Sequence, residues 1–93
     1  MARPEANLES YFKKQCEKNS IWQNKFTSGI TGVPDRIAVA NGKTAFVELK
    51  APNGVLSPRQ KRVLAQIESH GGTIFVPRSK KDIDEIIAFL GKK

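Results

Sequence analysis

Asp35, Glu48 and Lys50 are two acids and an amine on neighbouring stretches of chain. Paired carboxylates form an oxygen-rich site for a hard divalent cation such as Mg²⁺, with Mn²⁺ able to substitute. Such a cation takes few carboxylates and keeps waters that substrate oxygens can displace. An ammonium beside it can orient an attacking water, help deprotonate it, or stabilise charge developing on a phosphate oxygen. These three types suffice for phosphodiester hydrolysis. The same residues also have a plainer account, with Asp35 capping the loop after Pro34 and Glu48 and Lys50 forming a charge pattern on an exposed strand edge.

Strand register weighs between the two accounts. Asn41-Gly42, set between the apolar runs Ile37 to Ala40 and Lys43 to Lys50, predicts a two-residue type I′ hairpin. Ala40 then pairs with Lys43, and counting back places Asp35 opposite Glu48. Alternation puts Asp35, Ile37 and Val39 on one face with Thr44, Phe46, Glu48 and Lys50, while Val47 and Leu49 point the other way. Charges ending an apolar face cost desolvation unless a metal or substrate is bound there, which favours the chemical account.

Caps and periodicity supply the elements around that hairpin. Leu8, Phe12 and Cys16 make a one-sided stripe in a helix from Pro4 to Lys18. Ile21 to Thr27 reads as a first strand, and Ser28 to Pro34 as a Gly- and Pro-bearing loop. Ala51-Pro52-Asn53-Gly54 breaks the strand. Ser57 as N-cap, Pro58 in the first turn and Gln60 closing a capping box then start a second helix, which runs to about His70 with Val63, Leu64 and Ile67 inward. Gly71-Gly72 stops it, Thr73 to Val76 is a short strand, and Ser79 caps a last helix carrying Ile83, Ile86, Ile87 and Leu90. The order is α-β-β-β-α-β-α. We expect one α/β domain over residues 1–93, a mixed β-sheet flanked by helices, because helix-crossed strands are normally parallel.

Composition narrows the function. Sixteen Lys and Arg against nine Asp and Glu give a net charge of +7, which favours a polyanionic partner. One Cys and one His remove thiolate zinc sites and Ser-His-Asp triads, so chemistry here must run on carboxylates and lysines, with or without a metal. No apolar run approaches the ~20 residues of a membrane span. The segment Met1–Ser10 lacks the apolar stretch of a signal peptide, and the single Cys16 makes no internal disulfide, so a reducing cytoplasm is expected. At 93 residues a lean monomer or a dimer is expected rather than a two-domain cleft.

Three segments taken in order, Gly32-Val33-Pro34-Asp35, Phe46-Val47-Glu48-Leu49-Lys50 and Leu56-Ser57-Pro58-Arg59-Gln60, resemble the small stand-alone VRR-NUC domain of the PD-(D/E)xK nuclease superfamily, found in phages and bacteria. The match runs over nearly the whole chain. The resemblance implies a restriction-endonuclease-like core and a metal-dependent, structure-selective DNA endonuclease, homodimeric on branched DNA such as four-way junctions, in a bacterial or phage-infected cell. Position by position, it makes Asp35 and Glu48 metal ligands together with the backbone carbonyl of Leu49, and Lys50 the catalytic lysine. Gln60 becomes a supporting polar residue from the second helix, although its plain role is the capping box, and one amide is not expected to serve both fully. A glutamate on the first helix also belongs to the pattern. Glu9, between Leu8 and Phe12, fits better than Glu5 at the frayed end, and either is otherwise a favourable charge near a helix N-terminus.

Lys25, Ser28, Arg36, Arg59, Lys61 and Arg62 are candidate phosphate contacts, with solvated surface as the plain alternative. Trp22 and Phe26 are expected in core or dimer contacts, with base stacking as the other option. His70 reads as a last-turn residue meeting carbonyls, and Tyr11 and Cys16 as packing. Two rival functions stay open. A non-catalytic basic DNA-binding module on the same scaffold predicts EDTA-insensitive binding that weakens steeply with salt. A sequence-reading relative of restriction enzymes is disfavoured, because base readout commonly engages about 1,000 Å² or more of protein.

Overall fold

The chain follows the order expected from its caps and turns in a computed structural model, which describes residues 4–92, with side chains over 6–92. Helix α1 (Pro4–Lys18) buries the predicted stripe of Leu8, Phe12 and Cys16. Burial pushes the Cys16 thiol up to about 11, which makes it an inert packing residue. The chain leaves α1 through Ser20 at φ 56°, and the Ile21 amide bonds back to the Cys16 carbonyl at 2.9 Å. Strand β1 (Trp22–Lys25) is therefore shorter than the expected run from Ile21 to Thr27, since Ile21 is spent on seating the helix.

Strands β2 (Arg36–Ala40) and β3 (Lys43–Val47) form the predicted hairpin, with Ala40 opposite Lys43 and Arg36 opposite Val47. Asn41 and Gly42 both have positive φ, 52° and 78°, as a type I′ turn requires. The Asn41 side chain donates to the Leu90 carbonyl at 2.8 Å, tying the turn to the last helix. Helix α2 (Pro58–Ser69) starts with the Ser57 cap and closed capping box, and α3 (Lys80–Gly91) with Ser79. Between them β4 (Thr73–Phe75) lies parallel to β3, giving the sheet order β1-β2-β3-β4 and the expected mixed sheet. A Cβ at Gly72 would stand 2.4 Å from Ile67, so the return from α2 into β4 needs glycine.

Alternation decides what the sheet buries. Ala38, Ala45, Val47 and Leu49 point into a core closed by Leu8, Phe12 and Cys16 of α1 and Ile83, Ile86 and Leu90 of α3. Each large side chain there contributes about 1.5–3 kcal/mol by leaving water. The opposite face, carrying Ile37, Val39 and Phe46, is only half-buried. Trp22, directly across from Val39, is 58% exposed, so it does not fill the core half of the expected core-or-dimer contact. No helix among the described residues is long and apolar enough to cross a membrane.

Candidate active site

The ladder between β2 and β3 ends one pair short of Asp35 and Glu48, and other bonds then fix the two acids. The Asp35 carbonyl accepts from the Phe26 amide at 2.8 Å, and its Oδ2 accepts from the Leu49 amide at 3.2 Å. The backbone of β3 meanwhile runs on beside β4, with the Glu48 amide on the Phe75 carbonyl at 2.9 Å and the Lys50 amide on the Pro77 carbonyl at 3.2 Å. Strand alternation thus persists past Val47. It sends Glu48 and Lys50 to one side, where Lys50 Nζ lies 3.3 Å from Glu48 Oε2.

Glu48 is 2% exposed, whereas Asp35 is open to solvent. Burial, then the Asp35 charge, push the Glu48 carboxyl above the ordinary glutamate range, and Lys50 and a backbone hydrogen bond from Asp35 only partly oppose them. Its Oε2 is shared by Lys50 and by Gln60 Nε2, which donates at 3.1 Å. Its Oε1 is buried without a hydrogen bond of ordinary geometry. An acceptor left bare in a buried acid costs about 1–3 kcal/mol or more unless a ligand meets it.

Gln60 corrects the expectation that one amide could not hold both positions. Its Oε1 accepts from the Ser57 amide at 2.9 Å while its Nε2 reaches Glu48. An amide carries acceptor and donor on different atoms, so the capping box consumes only one of them. The loop before Asp35 is seated on the same helix. A Cβ on Gly32, at φ +91°, would lie 2.8 Å from Arg59 Cγ and 3.1 Å from the Arg59 carbonyl oxygen.

A cleft of about 390 Å³ opens beside the acids, lined by Glu9, Lys25, Phe26, Pro34, Asp35 and Leu49 among others. Phe26 packs edge-on against Phe46, with ring centroids 5.5 Å apart, and forms its wall. Glu9 reaches the cleft from α1, but its Oε2 accepts from Arg36 Nη2 at 3.0 Å. Among the described residues no three His, Cys, Asp or Glu side chains converge on one ion position. The donors on offer are the Asp35 and Glu48 carboxylates and nearby backbone oxygen. Two hard carboxylates, one with a bare buried oxygen, fit a cation that fills its remaining positions with water.

Lys25, Ser28, Arg59, Lys61 and Arg62 are all exposed, Lys25 on the cleft and the other three basic residues in the first turns of α2. Arg36 is not among them. It is 4% exposed and bonds Gln23 Oε1 at 2.8 Å as well as Glu9. Alternation was the missed signal, because the neighbour of a cleft-facing Asp35 must point through the sheet. The Gln23 contact, thirteen residues away, left no local trace. The side chain of Glu5 lies outside the described residues. His70 Nδ1 meets the Gln66 carbonyl at 2.7 Å, as expected of a last-turn residue.

Sheet and site together define a class, a small mixed α/β domain with an acid pair at its strand ends, a lysine two residues on and a supporting amide from the following helix. The model of the VRR-NUC domain matches residues 3–81. A relative named "Putative nuclease p44", from Acyrthosiphon pisum secondary endosymbiont phage 1, is 36% identical over 85 residues, 89% of this chain and 90% of that protein. A solved structure described as a VRR-NUC domain superposes with a TM-score of 0.85 at 29% identity, covering 94% of this chain and 97% of the other. The chain belongs to the VRR-NUC domain family.

Proposed function

We propose that this chain is a divalent-metal-dependent endonuclease that hydrolyses phosphodiester bonds of branched DNA, such as four-way junctions, and acts as a homodimer in the bacterial cytoplasm. Glu48 carries the reading. A buried acid with one oxygen held by Lys50 and Gln60 and the other without an ordinary hydrogen bond beside Asp35 is poorly explained as structure and well explained as half of a cation site. Asp35, Glu48 and the Leu49 carbonyl would hold Mg²⁺ or Mn²⁺, with Glu9 on the cleft wall paired to Arg36. The bound cation supplies Lewis-acid polarisation of a phosphoryl oxygen.

The chain's own groups do the remaining work. Lys50 offers its ammonium to an attacking water or to the charge developing on phosphate. Gln60 fixes the rotamer of Glu48, and the backbone of Leu49 fixes that of Asp35. Lys25 on the cleft and Arg59, Lys61 and Arg62 in the first turns of α2 track the phosphate backbone, with Ser28 as a neutral contact. A net charge of +7 without added base-reading elements supports recognition of shape rather than sequence. Two copies about a two-fold axis match the symmetry of a four-way junction.

Cleavage of labelled duplex, flap, splayed and four-way substrates, with Mg²⁺ or with EDTA, tests this. Metal-dependent incision of the branched substrates ahead of duplex is expected, and Asp35→Ala, Glu48→Ala and Lys50→Ala each abolish it with binding retained. Equal cutting of linear duplex removes the branch preference. Binding without product at any metal concentration replaces the enzyme with the non-catalytic module.

A further inference from the structure

Glu48 and Gln60 stand twelve residues apart in the chain, yet their side chains meet at 3.1 Å, so the path between them sets the site. That path is the loop over residues 51–57, and packing does little to fix it. Pro52, Asn53, Val55 and Ser57 are exposed, Val55 at 77%. One turn closes inside the loop, where the Gly54 amide donates to the Ala51 carbonyl at 2.8 Å with Pro52 at the second position. A segment with so little apolar burial opens readily unless polar anchors hold it.

Those anchors come from one dipeptide at the corner between β4 and α3. The Pro77 carbonyl accepts from the Lys50 amide at 3.2 Å, and Arg78 donates through Nη1 to the Gly54 carbonyl. Pro77 is buried, so the first anchor belongs to the framework of the sheet. Arg78 is half-buried and is itself held, because its amide donates to Asp82 Oδ2 at 2.9 Å in the first turn of α3. The turn after Lys50 is thus tied at its start and at its end to adjacent residues. Freezing a long arginine costs about as much rotamer entropy as one hydrogen bond returns, so the contact adds little net stability. Its worth lies in the shape it imposes. We infer that Arg78 is a positioning residue that keeps this turn closed and so sets Lys50 and Gln60 in one geometry around Glu48. The inference rests on the reading of Lys50 and Gln60 as working groups in the previous section.

Steady-state cleavage of the DNA substrate the wild type cuts best, with DNA affinity measured separately in EDTA, tests it. Arg78→Met keeps the aliphatic stem and removes the donor. A misplacement of about 1 Å near the chemistry can cost about 100-fold in rate, and a turn relaxed by part of that is expected to lower kcat about tenfold. KM, DNA affinity and melting are expected to stay near wild type. Arg78→Lys returns one donor for the one carbonyl and is expected to recover part of the loss. Wild-type kcat in folded Arg78→Met overturns the inference. A loss confined to KM and DNA affinity also overturns it, by making Arg78 a phosphate contact, and a fall in kcat matched by a fall in melting does so by making the contact merely structural. No recovery in Arg78→Lys counts against it equally. If Arg78→Met does not fold, Gly54→Ala decides. Its Cβ would stand 3.1 Å from the Ala51 carbonyl oxygen and 3.4 Å from Lys50 Cβ, which presses on the same turn. A kcat lower by about threefold at unchanged KM supports the inference, and wild-type kcat removes it. Lys50→Ala in the same series keeps the two readings distinct, since undiminished cutting there sinks the catalytic reading on which the inference stands.

Discussion

Glu48 concentrates the tension of the site in one side chain, because the fold buries an acid beside another acid and gives it a single ammonium in return. Its carboxyl sits above the ordinary 4.5, raised first by burial and then by Asp35. Between 4.5 and the raised value, the folded protein binds more protons at this position than the unfolded chain does. In EDTA, stability should therefore fall as pH rises through that window, by at most about 1.4 kcal/mol per pH unit, and level off above it. Urea midpoints measured from pH 4.5 upward should show that decline in the wild type and lose it in Glu48→Gln. Gln60 allows a sharper dissection. Gln60→Glu keeps an acceptor for the Ser57 amide but sets a carboxylate against Glu48, so the helix cap survives while the site is disrupted. We expect a small change in melting and at least about tenfold slower cleavage, whereas Gln60→Ala loses the cap contribution of up to about 1 kcal/mol as well. The capping role of Gln60 was legible in the Ser-Pro-Arg-Gln spacing, and its role beside the acids was implied by the family resemblance. Their coexistence was not, because it depends on how the loop over residues 51–57 brings α2 back to β3.

The elements readable from sequence were those whose signals are local. Asn41-Gly42 set the hairpin and its register, and Ser57 and Ser79 marked two helix starts, since each acts on neighbours within four residues. Alternation along β3 then placed Glu48 and Lys50 together even though the ladder to β2 stops at Val47. What sequence misjudged rests on distant contacts. Trp22 is exposed because α1 and α3 cover the other side of the sheet, and Arg36 is buried because α1 crosses over it. The loop from Ser28 to Pro34 lies between these cases, with glycines that announce close approach but not the surface approached. Gly32 supplies the answer at Arg59. Gly32→Ala would force a left-handed φ of +91° on a side-chain-bearing residue and press its Cβ to 3.1 Å from a backbone oxygen that cannot move aside. That should cost about 1–2 kcal/mol and displace Asp35, weakening Mn²⁺ binding followed by calorimetry. Gly29→Ala in the same loop is the control. Its Cβ meets nothing within 4 Å, so melting and Mn²⁺ binding should match the wild type.

For the molecule as a whole, charge and symmetry make a joint prediction about DNA. The net charge of +7 is partly committed internally, since Arg36 is spent on Glu9 and Lys50 on Glu48. Lys25 on the cleft and Arg59, Lys61 and Arg62 at the start of α2 remain exposed, with charge to displace counterions from phosphate. Each such contact contributes roughly 0.9 to the fall of log K with log salt on duplex arms, so one copy should show a slope on the order of −3.6 and two copies on one junction about −7. Binding to an uncut four-way junction in EDTA, measured from 50 to about 200 mM salt, separates the two stoichiometries without any cleavage. Lys61→Ala should flatten the slope by about 0.9 per bound copy, while Arg36→Met should leave it unchanged, because a guanidinium under α1 never meets a phosphate. A slope that stays near the single-copy value at saturating protein would remove the homodimer. A loss of slope in Arg36→Met would return that residue to the DNA-binding surface, against the burial and the two hydrogen bonds that place it under the first helix.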